Sequence, residues 1–381
     1  VHHRFDEMMK HILGPQTYVP MEGALDQAAK AELTELGREV SAYAEKTPQD
    51  IVCDLFENDQ VRTLMLYMAC HWGLEYDAAG VSYMVPIYLN RMANYRLTAG
   101  GSHRVSKALL KSIFEHQGQI RTGAQIERIL VEGGDARGVV LKDGTQLLAE
   151  KAVVSTIDLH QTFLEYVGED NLDPVFADSI RAWEWEERSL CNLHLALAAP
   201  PRFKAAESRP EVDQAFIYIL GYQSMEELTS HWDAMRGGSI PEGAGCNGCF
   251  PSVHDSYQAP PGRATGLLSQ MAPFELADGG SERWLDHRMR EEVKQRQLAL
   301  LQRYAPNLSS EKVLWTYLTT PADIQNKFAN MVRGSYKQGA YQPFQMGYLR
   351  PNQECSQYRT PVGKLYLGGA SAAPGGMVIF G

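Results

Sequence analysis

Two glycine-centred stretches in this 381-residue chain carry the residue types that hold a phosphate-bearing ligand. One is Gly100-Gly101, in "RLTAGGSHRVSK". The other runs from Gly368 to Gly376, in "LYLGGASAAPGGMVIFG", directly after an apolar strand-like run. Glycine has no Cβ, so backbone N–H groups approach a phosphate or a sugar chain closely. A helix that starts at such a loop adds the positive end of its dipole. Each pair read alone is also an ordinary turn, so weight comes only from the elements around them.

Other reactive side chains lack partners at useful spacing. Cys246 and Cys249 form one C-x-x-C in "GAGCNGCF", which suits a redox pair or half a zinc site. No second pair and no histidine pair stands near, and we read the spacing as coincidence. The eleven histidines contain no H-x-x-x-H, which argues against a metal centre. His103 follows the first glycine pair and reads first as an exposed residue of a helix's opening turn. His254-Asp255 has the types of a catalytic pair but no G-x-S-x-G elbow, so a turn at a strand end is the better reading. Tyr336 and Tyr341, in "GSYKQGAYQPF", suit either a pocket lining or plain packing.

Composition bounds the class. The formal charge of −10 has the wrong sign for non-specific binding to nucleic acid or an anionic membrane. A hydrophobic content of 44% and mean hydropathy of −0.31 are those of a chain that buries a real core. No apolar run reaches the length of a membrane span, and the first residues do not read as a secretory signal. Six cysteines, mostly isolated in apolar runs, suit reduced thiols in a cytosol or organelle matrix.

The positioning elements change along the chain. Residues 1–97 read as helices: "GALDQAAKAELTELGREVSAYAEKT" is amphipathic, "TPQDIVCDLF" has a helix start, and "NDQVRTLMLYMACHWGLEY" is apolar enough to be buried. "VSYMVPIYLNRMANY" is core or the wall of an apolar tunnel. Ser102 is placed to cap a helix to about Glu115, with Gly118 as its end. Strands follow in "QIRTG", "AQIERILVE", "ARGVVLKDG" and "TQLLAEKAVVST", with hairpin turns at Gly133-Gly134 and Asp143-Gly144. "KAVVST" reads as a strand buried on both faces. Residues 166–350 supply further strands of one mixed sheet, a long helix starting at Ser281, and a strand leading into a proline-started helix at 320–328.

This order of elements, with the runs "GGSHRVSKALLKSIFEHQGQIRTGAQIERILVEGGDARGVVLKDG", "AVVSTID", "FPSVHDSYQAPPGRATGLLSQMAPFEL", "RPNQECSQYRTPVGKLYLGG" and "APGG", resembles the flavin amine-oxidase superfamily. Within it, the likeness is to the phytoene-desaturase and carotenoid-isomerase branch. The resemblance implies an α/β fold: a Rossmann-like FAD-binding domain, incomplete here, and a substrate domain of mixed sheet and helices. Residues 1–97 would be the helical part of the substrate domain. Residues 98–165 and 351–381 would be FAD-domain segments, and 166–350 the substrate-binding sheet. The implied cofactor is FAD. Its contacts would be Gly100 and Gly101 at a helix start, Ile126 at the adenine, Ser155 and Thr156 near the diphosphate, and Gly369, Gly375, Gly376 and Met377 toward the ribityl chain and the ring. The implied reaction is desaturation, saturation or isomerisation of an apolar substrate, with no acid or base singled out. A peripheral membrane contact and a homo-oligomer stay open.

Two departures accompany the resemblance. The family's opening strand, G-x-G-x-x-G turn and helix do not occur in this chain, so we expect the intact protein to hold them. Relatives often carry Thr-His before the Pro-Gly-Gly, where this chain has Ala372-Ala373. An amine oxidase of the same fold and a flavin-free scaffold protein are the alternative readings.

Overall fold

The structure, a computed structural model, describes residues 7–8, 20–93 and 96–376. The amino-terminal part is helical: α1 (Ala24–Ala31), α2 (Glu35–Ala44), α3 (Pro48–Leu55), α4 (Asp59–His71) and α5 (Val85–Ala93). The first amphipathic run breaks in two because Thr34 accepts a hydrogen bond from Gly37 N–H and opens a new helix. Helix α3 starts at a capping box, with Thr47 Oγ1 accepting from Asp50 N–H and the Asp50 carboxylate accepting from Thr47 N–H. Ile51, Leu66 and Tyr67 are fully buried in this layer. Burial of each such side chain contributes roughly 1.5–3 kcal/mol.

Helix α6 (His103–Glu115) follows the first glycine pair. Its start differs from the sequence expectation: Ser102 has helical backbone angles and its side chain makes no capping bond. Its end differs too. Gln117 takes the left-handed conformation (φ +62°), Gln117 N–H donates to Phe114 O, and Gly118 N–H donates to Ile113 O. That is a Schellman closure with Gln, not Gly, in the strained position. No residue of α6 is buried, and Val105, Leu109 and Phe114 are all exposed.

Strands β1 (Ile126–Glu132), β2 (Asp135–Leu141) and β3 (Gln146–Leu148) form an antiparallel sheet in that order. Gly133 and Gly134 both take positive φ between paired Glu132 and Asp135, as the expected hairpin requires. "QIRTG" forms no strand, because no described strand lies beside it. Strand β4 (Val153–Ser155) pairs in parallel with β10 (Leu365–Leu367). This pair is not covered on both faces as expected: Val154 stays 62% exposed.

A five-stranded sheet has the order β6-β7-β8-β5-β9, from Tyr218–Leu220, Cys246–Cys249, Ala264–Pro273, Arg188–Leu197 and Val313–Thr319. Its pairings are antiparallel. Helix α7 (Pro174–Arg181) precedes these strands, α8 (Met225–Arg236) and α9 (His287–Tyr304) come between them, and α10 (Pro321–Lys327) follows β9. Alternation along β5 sends Cys191, Leu193, Leu195 and Leu197 into a core with Leu300 and Leu301 of α9. The same alternation puts Cys246 and Cys249 on opposite faces of β7, so the two thiols cannot act as a pair. Asp286, not Ser281, caps α9, accepting from Arg288 and Met289 N–H. Among the described residues no helix is long and apolar enough to cross a membrane.

The cap assignment gives the first test. Asp286→Ala should lower the thermal midpoint clearly, because α9 loses its cap. Ser281→Ala should leave the midpoint within error, and the reverse ranking in paired melts would contradict the assignment.

Candidate active site

The parallel pair sets the site. Leu367 sits opposite Ser155, and Gly368 N–H donates to Ser155 O at 2.8 Å, so both strands end at one level. In open α/β sheets, ligands bind beyond the carboxyl ends of parallel strands. Here the glycine loop 368–376 begins at that point. Gly369 has φ +75°, and a Cβ there would reach 3.4 Å from Thr156 O. Among the described residues the loop commits only the N–H groups of Gly368 and Ala372 to backbone carbonyls. No described backbone carbonyl takes the loop's other N–H groups, which suits a diphosphate or ribityl cradle.

The structure therefore brings Ser155, Thr156, Gly369, Gly375 and Gly376 to one loop system. The Ser155 hydroxyl faces inward: it shares a 2.7 Å hydrogen bond with Thr162 Oγ1, fixing the turn into the π-helix His160–Gly168. Ser155 thus offers backbone, not its side chain, to a ligand. Gly100 and Gly101 take φ +81° and +98°, and Gly100 N–H donates to Asp255 Oδ2 at 2.7 Å, which ties the entry of α6 to the loop after β7. Asp255 also accepts from Gln258 Nε2 and Tyr257 N–H, and these bonds hold its carboxyl below the usual range. Ile126 is half-buried, opposite Leu141 in the β1–β2 pair. Met377 lies outside the described residues.

Two further residues organise the loop and were not singled out in the sequence. Arg350 is fully buried. Its guanidinium donates to Ala370 O (2.8 Å), Gln345 O (2.8 Å), Lys337 O (2.9 Å) and Gln338 O (3.1 Å), and it stacks 4.9 Å over the Trp183 ring. Burial lowers its pKa to about 10, still charged at neutral pH. Lys337 is also buried, with Nζ 3.3 Å from Gly73 O and 4.8 Å from the centre of the Tyr341 ring. More bonds join this segment to the loop: Ser371 Oγ donates to Gln338 Oε1, Tyr341 Oη to Gly376 O, and Gly347 N–H to Pro374 O. Between Arg333 and Arg350 the sequence holds one charge, Lys337, among glycines, tyrosines and glutamines. A lone charge in such a run is the signal that could have marked it.

The segment also reaches the sheet and the helical layer. Ser189 Oγ donates to Gly334 O, and Glu186 accepts from Lys337 and Gly339 N–H. Tyr336 Oη donates to His71 O at the end of α4. The sheet face opposite α9 carries Asn192, His194, Trp315, Tyr317 and Thr319. One end of it is covered by α4, where Tyr67 Oη donates to Asn247 Oδ1. The other end is open: Trp315 and Tyr317 stack in parallel at 5.9 Å and remain 60% and 47% exposed. On this face the Asn192 amide oxygen is buried without a partner. An orphaned acceptor and free loop N–H groups fit a large polar cofactor seated against an apolar wall.

The Arg350 clamp yields a second test. Arg350→Met leaves buried carbonyls unpaired and should destabilise the protein by roughly 3 kcal/mol, with faster amide exchange in 369–376. Arg350→Lys should recover only part of this, because an ammonium lacks the planar fork. Unchanged exchange in both variants would rule the clamp out.

Comparison with known proteins places these features. No family model matches the chain. It is 35% identical over 390 residues to one of the subunits of limonene dehydrogenase from Castellaniella defragrans, covering 99% of this chain and 70% of that one. It is 26% identical to the lycopene-forming phytoene desaturase of a Paracoccus species, covering 75% of this chain and 53% of that protein. Among solved structures it resembles an oxidoreductase from Methanosarcina mazei in fold, with a TM-score of 0.53 and 15% identity, covering 94% of this chain and 70% of that one. The match to the limonene dehydrogenase polypeptide runs through both glycine stretches and the sheet between them, and so the chain belongs to the phytoene-desaturase-like family of FAD-dependent oxidoreductases.

Proposed function

We propose that this chain is the larger part of an FAD-dependent dehydrogenase that removes hydrogen from carbon–carbon bonds of a hydrocarbon. The observation that carries the reading is the glycine loop at the ends of parallel β4 and β10, with most of its N–H groups uncommitted and its shape fixed by Arg350. Bound there, FAD would supply the hydride acceptor. Gly369, Gly375 and Gly376 would hold it through backbone, with Ser155 and Thr156 closing the strand side. Residues 98–165 and 351–381 would then be FAD-domain segments, and 1–97 with 166–350 the substrate domain.

The chain's own residues suit an apolar substrate. The open sheet face offers Trp315, Tyr317 and Leu267 but no carboxylate. The helical layer closes one end and keeps water from it. His194 on the same face has its pKa lowered by burial and then by Lys327, which favours the neutral imidazole. Names of relatives point the same way: one belongs to a limonene dehydrogenase and another is a phytoene desaturase. Saturation and isomerisation use the same site and are the alternatives within this reading.

Protein purified from its native reading frame should show the visible absorption of a bound flavin that survives gel filtration. Anaerobic terpenes or polyenes should bleach it, and amines should not. A colourless protein that takes up no added FAD ends the reading. Trp315→Ser and Tyr317→Ser should keep flavin content unchanged and raise KM for hydrocarbons about tenfold, since each removes apolar contact worth ~1–2 kcal/mol.

A further inference from the structure

Dehydrogenating a carbon–carbon bond takes away a hydride and a proton. The hydride passes to FAD, the oxidant of the proposed reaction. The electron pair of the second C–H bond closes the double bond, and its proton has to reach solvent. The sheet face offers that proton one base, His194, whose Nε2 is already bonded to Thr319 Oγ1 at 3.1 Å. Immediately behind the glycine loop, however, a buried lysine lines a cavity large enough for several waters.

The geometry is specific. A cavity of about 260 Å³ is lined by Lys337, Tyr341, Gly73, Glu186, Arg188 and Glu75. Lys337 is a buried cation of this lining. Its ammonium has three protons to donate and, among the described residues, one hydrogen-bond acceptor, Gly73 O at 3.3 Å. Gly73 makes room for it: φ is +116°, and a Cβ would fall 2.7 Å from Lys337 Nζ. On the loop side, Lys337 lies against Tyr341, whose hydroxyl donates to Gly376 O.

The groups that face Lys337 divide by sign. Glu186 accepts from backbone N–H groups, including that of Lys337 itself, and forms no ion pair with the ammonium. Arg188 is paired with Glu75, which also holds Arg236. Arg350 lies on the far side, bonded to the Lys337 carbonyl. Tyr336 and Tyr341 present ring faces and donate their protons elsewhere.

We propose that Lys337 is the proton station of the site: its neutral amine takes up the proton released on dehydrogenation and passes it to water in the cavity. This rests on the flavin reading above. Burial pulls the Lys337 pKa down, Glu186 opposes it, and Arg188 and Arg350 reinforce it, leaving it at about 8. The amine therefore exchanges its proton near neutral pH, as a relay needs.

Two measurements test this on wild type, Lys337→Met and Lys337→Arg. The first is thermal unfolding without added flavin, from about pH 6 to pH 11. A folded pKa near 8 against the ordinary 10.5 means the unfolded chain binds more protons between them. Wild type should therefore gain stability relative to Lys337→Met as pH rises through that window. A gap that does not move with pH overturns the proposal. The second is the pH dependence of the bound flavin's reduction potential. Wild type should show a break near about pH 8 that both variants lack, since Arg keeps the charge but does not give up its proton. Flavin bound in all three proteins with the break intact in Lys337→Met overturns the proposal alone. A protein that retains no flavin overturns the flavin reading and the proposal together.

Discussion

Everything near the site depends on satisfying one buried guanidinium. Arg350 has no carboxylate among its hydrogen-bond partners; its donors go to backbone carbonyls from the glycine loop and from the segment 337–345. An unpaired charge there would be prohibitive, so the loop and the segment must adopt a common arrangement. The clamp is directional as well as strong, because a planar fork fixes several acceptors at once. It converts a glycine-rich loop, which has little preference of its own, into a single shape.

Two apolar clusters meet around this clamp: the helical layer reaches it through Tyr341 and Met346, and another contributes Trp183 and Ala372. Polar groups at the junction are mostly bonded across cluster boundaries: Tyr336 to the end of α4, Ser189 to Gly334, Tyr67 to Asn247. A cavity at such a junction can be polar on one side and apolar on the other. That asymmetry suits a cofactor with a charged tail and a substrate without charge.

Local features were legible in the sequence where the cause is local. The Thr47 cap, the Gly133-Gly134 hairpin and the proline-started helix at 321 each depend on residues within one turn, and the structure has all three. The differences have distant causes. Ser102 and Ser281 look like caps, yet Ser102 precedes its helix with helical backbone angles and no capping bond, and Asp286 takes the cap expected of Ser281. "QIRTG" and "KAVVST" have strand composition, but a strand forms, and is covered, only where a partner lies beside it. The glycine loop stands out by its composition. Arg350 does not, because its hydrogen-bond partners are main-chain atoms, which leave no trace in residue type; Lys337 shows only as the lone charge of its run.

The ties between the segment 335–350 and the helical layer have a consequence for synthesis. Lys337 bonds a carbonyl 264 residues earlier and Tyr336 one 265 residues earlier, while Gln357 holds Met21 across 336. A ribosome adding ~5–20 residues per second needs on the order of tens of seconds to cover such a span. Until its end the helices pack on α8 and the sheet but lack the cover of Tyr341 and Met346. A segment made late locks a layer made early, so a nascent chain stalled before residue 335 holds the helices α1 to α5 only through α8 and the sheet, without the ties of 336–350.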